Sequence, residues 1–469
     1  MYNKKGIVIV AVLGIIALLM IIGISASYLV TNENVFSRNI KDAKMALAAA
    51  QAGAQRGLAR LLNNYQTINF SGALGQAQYN VTYQKVDQDG LEETWEIDST
   101  GTCNGASKVV VVRIVVKKNV PFVPFATDGK FNTAKMQIPN AFDSLLEIWA
   151  ASGFQIDKAV GVNPSDINNL SYGQDYTVNS WNVKFVHHEA PTPSVKSISF
   201  DVTNYAGECD VGDFSKDISL SSTNLVDING DGKVVICGND VKIDKNVEIT
   251  NDQFVVFANK DIIVDEKLDE HGNNPIFDVA LFANQDVVFE DKAEIEHHGK
   301  ADTYNITAYA GDEIKSDTDH FIHVTGFSTA EQKANIFLVS KNGIDASDAN
   351  IHYTGKESNN LLIWSDGDIT LGKWHATGSS GDEVRKVGII AHSDDPIGDP
   401  SDITFTEKIH ITGSHHMEGL TVDDIQKWYE QLPEGDPTKA ILAGMLSQIS
   451  SSNTNVTLTL QKIDFWRVE

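Results

Sequence analysis

Apolar and polar positions change rhythm along the chain. Ile7 to Val30 (IVIVAVLGIIALLMIIGISASYLV) is a run of 24 positions without a charge, directly after the basic leader Met1-Tyr2-Asn3-Lys4-Lys5-Gly6. A helix needs ~20 apolar residues to cross a bilayer, so this run is long enough to span one. Beyond it, apolar positions recur at helical spacing (Ile40, Ala43, Met45, Leu47, Ala50, Ala54, Leu58, Leu61) with no proline to break them. One helix is therefore expected from about Ile7 to about Leu62, a stalk on the order of 85 Å at ~1.5 Å per residue.

Further along, a β-rich run ending in a small residue and polar turn residues repeats. The small residue falls at Ala258, Ala283, Ala310, Ser340, Ser365 and Ala391, at intervals of 25, 27, 30, 25 and 26. Val235–Val241 fits one copy earlier, with Cys237 in the small-residue slot, and Phe125–Gly129 and Trp149–Gly153 read as degenerate copies. A fixed period of this size signals stacked repeats that bury their apolar rows on one another. No amphipathic helix separates the copies in 251–418, so a right-handed parallel β-helix is expected; a β-sandwich would place strands every 8–12 residues without the longer echo. Gly419–Leu432 and Pro437–Ile449 read as two helices capping the open end of the stack, and Val456–Ile463 as a strand returning to an earlier sheet. Asn140–Ala151 reads as a short helix.

Charge narrows the function classes. The 469 residues carry a net charge of −26, yet residues 1–63 hold seven Lys or Arg against Glu33 and Asp42, a balance of +5 that leaves −31 on the remainder. Such a surface repels nucleic acid and favours divalent cations. The uncleaved apolar run is too long for a secretory signal. Lys4 and Lys5 belong on the cytoplasmic side, which puts residues 31–469 outside the cytoplasm.

Lys4-Lys5-Gly6 followed by Ile7 resembles the processing site of type IV prepilins, in which cleavage follows the glycine and the apolar helix is kept. With Ala49-Ala50-Gln51-Ala52-Gly53-Ala54, the run from Lys5 to Leu62 resembles the N-terminal module of PilX-type minor pilins. Asn80–Lys118 is similar to the small strand pair that follows that helix. The resemblance implies Gly6 and Ile7 as the processing pair, other pilins as partners, and inner-membrane residence before assembly into an extracellular filament. Major pilins carry a glutamate at the fifth position after cleavage, where this chain has Ala11. The related K-type pseudopilins also tend to lack it, which implies a minor, tip-proximal subunit. An uncleaved signal anchor carrying a surface adhesin unrelated to pili is the competing reading.

The local motif with most chemistry is Asp227-Ile228-Asn229-Gly230-Asp231-Gly232-Lys233. Oxygen-bearing residues Asp227, Asn229 and Asp231, a glycine, then the Lys233 carbonyl match the start of an EF-hand calcium loop. The twelfth position is Gly238, so a bidentate acid must come from Asp210, Asp213 or Asp240; a plain turn feeding a strand is the alternative. Of three cysteines, Cys209–Cys237 is the first candidate bridge, against Cys237 as a free buried thiol in the repeat. His297-His298 after Glu294 and Glu296, His320 with His323, and His415-His416 after His410 have metal-ligand chemistry, but adjacent strand residues face opposite ways, and surface histidines on loops are the commoner explanation. Trp364, Trp374 and Trp428 are candidates for a ligand-contacting patch, with Trp374 the best surface candidate and Trp364 expected in the core. No nucleophile elbow, phosphate loop or HExxH is present, so a non-enzyme is expected over a β-helix glycan-processing enzyme, and the head is expected to meet a surface or glycan ligand.

The expected fold class is mainly β. Residues 1–6 are a leader and 7–63 a stalk helix with transmembrane and exported halves. A small β domain follows at 64–120, then a linking region with the calcium loop at 121–250. A β-solenoid occupies 251–418, and a helical cap with a final strand closes the chain at 419–469.

Overall fold

The computed structural model describes residues 4–64, 67–89, 92–119, 123–138, 142, 144–188, 193–220, 232–245, 247–249, 253–270, 276–290, 293, 295–297, 303–318, 320–324, 333–354, 359–377, 384–412, 416–451 and 457–468. The chain forms two compact units, residues 1–120 with 453–469, and residues 121–452.

The first unit is built on one unbroken helix, Lys4–Asn64. It packs on a five-stranded antiparallel sheet ordered Phe70–Leu74, Ala77–Asp89, Glu92–Cys103, Ala106–Asn119, Thr457–Val468. The last strand comes from the chain's far end, so the expected returning strand finds its sheet here. Ala46, Ala49, Ala50, Ala54 and Leu61 are buried against Val81, Ile97, Val112 and Ile114. Small residues set the closeness of that contact. A Cβ on Gly101 would overlap the Ala46 carbonyl, and one on Gly53 would overlap the Ser99 hydroxyl. The turn Asn104-Gly105 has positive φ at both residues (46° and 87°), as a two-residue hairpin requires. Its Asn104 amide donates to buried Asp42 at 3.1 Å, pinning the helix where burial begins.

The second unit is made of parallel strands in two large sheets. Repeat strands pair in register: Gly238 with Ala258, Ala283, Ala310, Ser340, Ser365 and Ala391 in turn. Gly238, not Cys237, holds the small-residue slot; Cys237 pairs with Phe257, one position earlier. The slot is the last strand residue before the turn. Where it carries a hydroxyl, that group serves the turn: Ser340 Oγ accepts from the Asn342 and Gly343 amides, and Ser365 Oγ from Gly367. The second sheet takes each chain pass onward, for example through Ile262–Val264 and Leu268–Glu270. Its two early arms merge at the long strand Gly343–Thr354.

Spatial order departs from chain order. Val384–Ala391 pairs with Phe125–Thr127, which pairs with Leu146–Ala150, which pairs with Val183–Val186. The degenerate early copies thus extend the array at its late edge. Segment 121–250 contributes strands at both ends of the array rather than standing between units. Residues 146–150 are a strand where a helix was expected, because Leu146, Ile148 and Ala150 alternate into the core. The growing edge is closed locally. Asp175–Val178 pairs antiparallel on Val183–Val186, and the Asn168 side chain makes both a 2.9 Å donor and a 2.9 Å acceptor bond with the Ile156 backbone.

The two C-terminal helices, Val422–Gln431 and Pro437–Ser451, lie over a sheet face, not over an end. Trp428 meets Phe337 edge-on, and Thr438 bonds Thr307 at 3.1 Å. The cause is the first sheet's composition. Its strands are apolar on both faces (Ile336 and Leu338 inward, Phe337 and Val339 on the other side), so the second face also needs a cover. Residues 193–210 supply the rest of it as a strap. Phe200 packs on Phe282 and Tyr309, and Tyr205 stacks on Phe257.

Candidate functional site

The stalk helix has two halves in different surroundings. From Val10 to Lys41 every residue is exposed, and Ile15, Leu19, Ile22, Tyr28 and Phe36 ring the surface with apolar area. Among the described residues this is the one helix long and apolar enough to cross a membrane. A helix apolar all round is stable only in lipid or among other apolar helices. Ala11 lies in this exposed half. Gly6 and Ile7 fall within the helix, near its start. From Asp42 onward the same helix is committed to its own sheet. The geometry therefore offers an apolar rod fixed to a folded domain.

In the second unit the expected calcium ligands Asp227, Asn229 and Asp231 lie outside the described residues. Lys233 opens the strand Lys233–Gly238, and its ammonium meets Glu208 at 2.8 Å. The acids expected to complete the shell have protein donors. Asp210 accepts the Val235 amide at 2.9 Å. Asp213 accepts from Ser215 and Lys216, bonds that hold its pKa down to about 2. Asp240 accepts from Asn239 at 3.1 Å and from the Asp261 amide at 3.3 Å. Among the described residues no three His, Cys, Asp or Glu side chains converge on a metal position.

Cys209 and Cys237 are joined as a disulfide, which ties the end of the strap to the first sheet; Cys103 is free and buried. The other end of the strap is tied by Asp366, which accepts from Ser194 Oγ and the Val195 amide at 2.7 Å each and from the Lys196 amide at 2.6 Å. The aromatic patch is not a surface. Trp364, Trp374 and Trp428 are 0%, 2% and 3% exposed. Trp364 donates its indole N–H to the Pro193 carbonyl in the strap, at 2.6 Å. Trp374 stacks between Phe125 and Phe405, because its strand registers it with core residues Ile351 and Ile409.

A row of carboxylates was not recognised in the sequence. Asp240, Asp261 and Asp286, then Asp368 and Asp402, each precede the second-sheet strand of their repeat, and Glu313 opens its own. Each aspartate from Asp240 to Asp286 accepts the backbone amide of the next residue in the row at 3.0–3.3 Å, as Asp368 does from Asp402 at 2.7 Å. The signal was present: the acid usually stands three residues after the small slot. Gly343 interrupts the row, and an open polar groove of about 620 Å³ lies there, lined by Lys196, Lys315, Asp345, Asp368 and Asp395 among others.

No family model and no curated protein matches the chain. The crystal structure of the competence-associated pilin ComZ from Thermus thermophilus aligns over 91% of this chain and 98% of its own, at 10% identity and a TM-score of 0.23. A likeness that loose carries no argument about fold or function.

Proposed function

We propose that this chain is a minor pilin of a type IV pilus or related filament, PilX-like at its N-terminus, carrying a right-handed β-helix head. The observation that supports it most is the continuous helix Lys4–Asn64, apolar and exposed in its first half and fixed to a sheet in its second. Such a rod partitions into the inner membrane as a single span and can then leave lipid only by bundling with equally apolar helices. Cleavage after Gly6 frees Ile7, which is then methylated. Ala11 leaves this subunit without the carboxylate that a repeating pilin carries, so it serves in priming or stabilising assembly. A head of roughly 330 residues crowds a packed shaft, which favours the tip. There it presents an adhesive surface to a surface or glycan ligand, with no catalytic role. Calcium at Asp227, Asn229, Asp231 and the Lys233 carbonyl belongs to the same proposal.

The test is genetic and biochemical. Deleting the protein should reduce piliation or surface attachment, and the chain should co-purify with sheared filaments. Unchanged piliation and attachment, with the protein confined to membranes, contradicts the reading and favours a simple anchored adhesin.

A further inference from the structure

The carboxylate row beside the second sheet is broken at Gly343, and the groove of about 620 Å³ opens there. At a filled step the aspartate accepts the backbone amide of the next row residue, as Asp286 does from Glu313 at 3.0 Å. Gly343 holds the row position between Glu313 and Asp368, because Ile344 registers with Ile314 on one side and Ile369 on the other. It has no side chain to accept the Asp368 amide, and its own amide donates to Ser340 Oγ at 3.1 Å. By the repeat of the row, the Asp368 amide is directed at the slot that a side chain at position 343 would fill. Packing does not demand a glycine there. A Cβ on Gly343 would meet only the Asp368 carbonyl oxygen, at 3.4 Å, and its φ is not positive. Gly311 and Gly367 differ, since a Cβ on them would overlap the backbone carbonyls of Asn284 and Asn342 respectively.

The lining sets the chemistry of what fits. Seven carboxylates stand against two ammonium groups around the groove. Both lysines are already paired, Lys315 with Asp286 and Glu313 at 2.8 Å each and Lys196 with Asp394 at 3.4 Å. An anionic ligand is therefore repelled. A metal ion is poorly served, because among the described residues no three acidic, histidine or cysteine side chains converge on one. An ammonium group has no lone pair to offer the Asp368 amide. A hydroxyl both accepts and donates, so it can take that amide and donate to a carboxylate such as Asp345 or Asp368.

We infer that the groove at Gly343 is a binding site for a neutral, hydroxyl-rich glycan, with one sugar hydroxyl in the place of the missing row side chain. Its volume lies within the ~300–1,000 Å³ of small-molecule sites. Asp345 and Asp395 are exposed at its rim and supply further acceptors for sugar hydroxyls. The inference rests on the adhesive role proposed above, to which it gives a place on the head and a ligand class.

An array of neutral gluco-, galacto- and manno-oligosaccharides, printed beside sialylated and sulfated ones, tests this with the full-length protein in detergent. The parent should bind neutral oligosaccharides and leave the anionic ones. Gly343→Asn fills the slot without adding charge; it should weaken binding at least ~10-fold, the scale of a hydrogen bond lost in a closed site, with the urea midpoint unchanged. Asp345→Asn, at an exposed position, should weaken binding as well, and decides the matter if Gly343→Asn proves less stable. Neutral oligosaccharide binding that both variants leave intact overturns the groove while an adhesive head stands. Binding of no neutral oligosaccharide, or a preference for anionic ones, overturns the ligand class. The pilin reading is decided separately, by co-purification with sheared filaments.

Discussion

In the first unit one helix covers one face of an antiparallel sheet, and the closeness of that contact rests on Gly53, Gly101 and the alanines opposite. In the second unit the first parallel sheet is buried on both faces, by large side chains inside and by a strap and two helices outside. The first arrangement tolerates no added volume at a few points. The second spreads its stabilisation over many large groups and depends on the cover staying in place. The comparison teaches where each unit is vulnerable: to enlargement in one, to truncation and untying in the other.

The largest effect should come from truncating the covered face. Trp364→Ala removes a fully buried indole and its bond to the strap, and should lower stability by about 3–5 kcal/mol in urea unfolding of the second unit. Untying the strap comes next. Cys237→Ala opens a bridge spanning 28 residues and should destabilise by about 2–4 kcal/mol, matched by reductant acting on the parent protein. In the first unit, Gly101→Ala presses a methyl group on the helix backbone and should destabilise by about 1–3 kcal/mol, with no change in the second unit's transition. Equal loss in both units would dissolve the distinction.

The remaining effect is a pH dependence. Asp278 is buried beside the asparagine row Asn305, Asn335 and Asn360. Burial, and then the charge of Asp436, push its pKa up to about 8. Above the unfolded-state value near 4 the folded protein holds a proton that the unfolded chain releases, so stability falls as pH rises towards 8. Asp278→Asn should raise the urea midpoint at pH 8 and leave it nearly unchanged at pH 4. An equal shift at both values contradicts the assignment.

Much of this was legible because periodicity reports local neighbours. The apolar run and its helical continuation anticipated Lys4–Asn64, and the recurring small residue anticipated parallel register from Ala258 to Ala391. Periodicity does not report which edge a separated copy joins. Phe125 and Ile148 extend the late edge because a strap carries the chain back along the sheet before the array begins at Val211. Trp374 was misplaced for a related reason: its stretch breaks the local repeat, yet register still sets it among Phe125 and Phe405. A one-residue slip separated Cys237 from the small slot, which is what frees its sulfur to meet Cys209 on the covered face.

The central claim is that the apolar rod is trimmed, kept and used for assembly. Mass spectrometry of the N-terminus of the native protein, recovered from sheared filaments, tests it most directly. The account predicts a chain beginning at Ile7 with a methylated amine. A chain found only in membranes and still beginning at Met1 would contradict it.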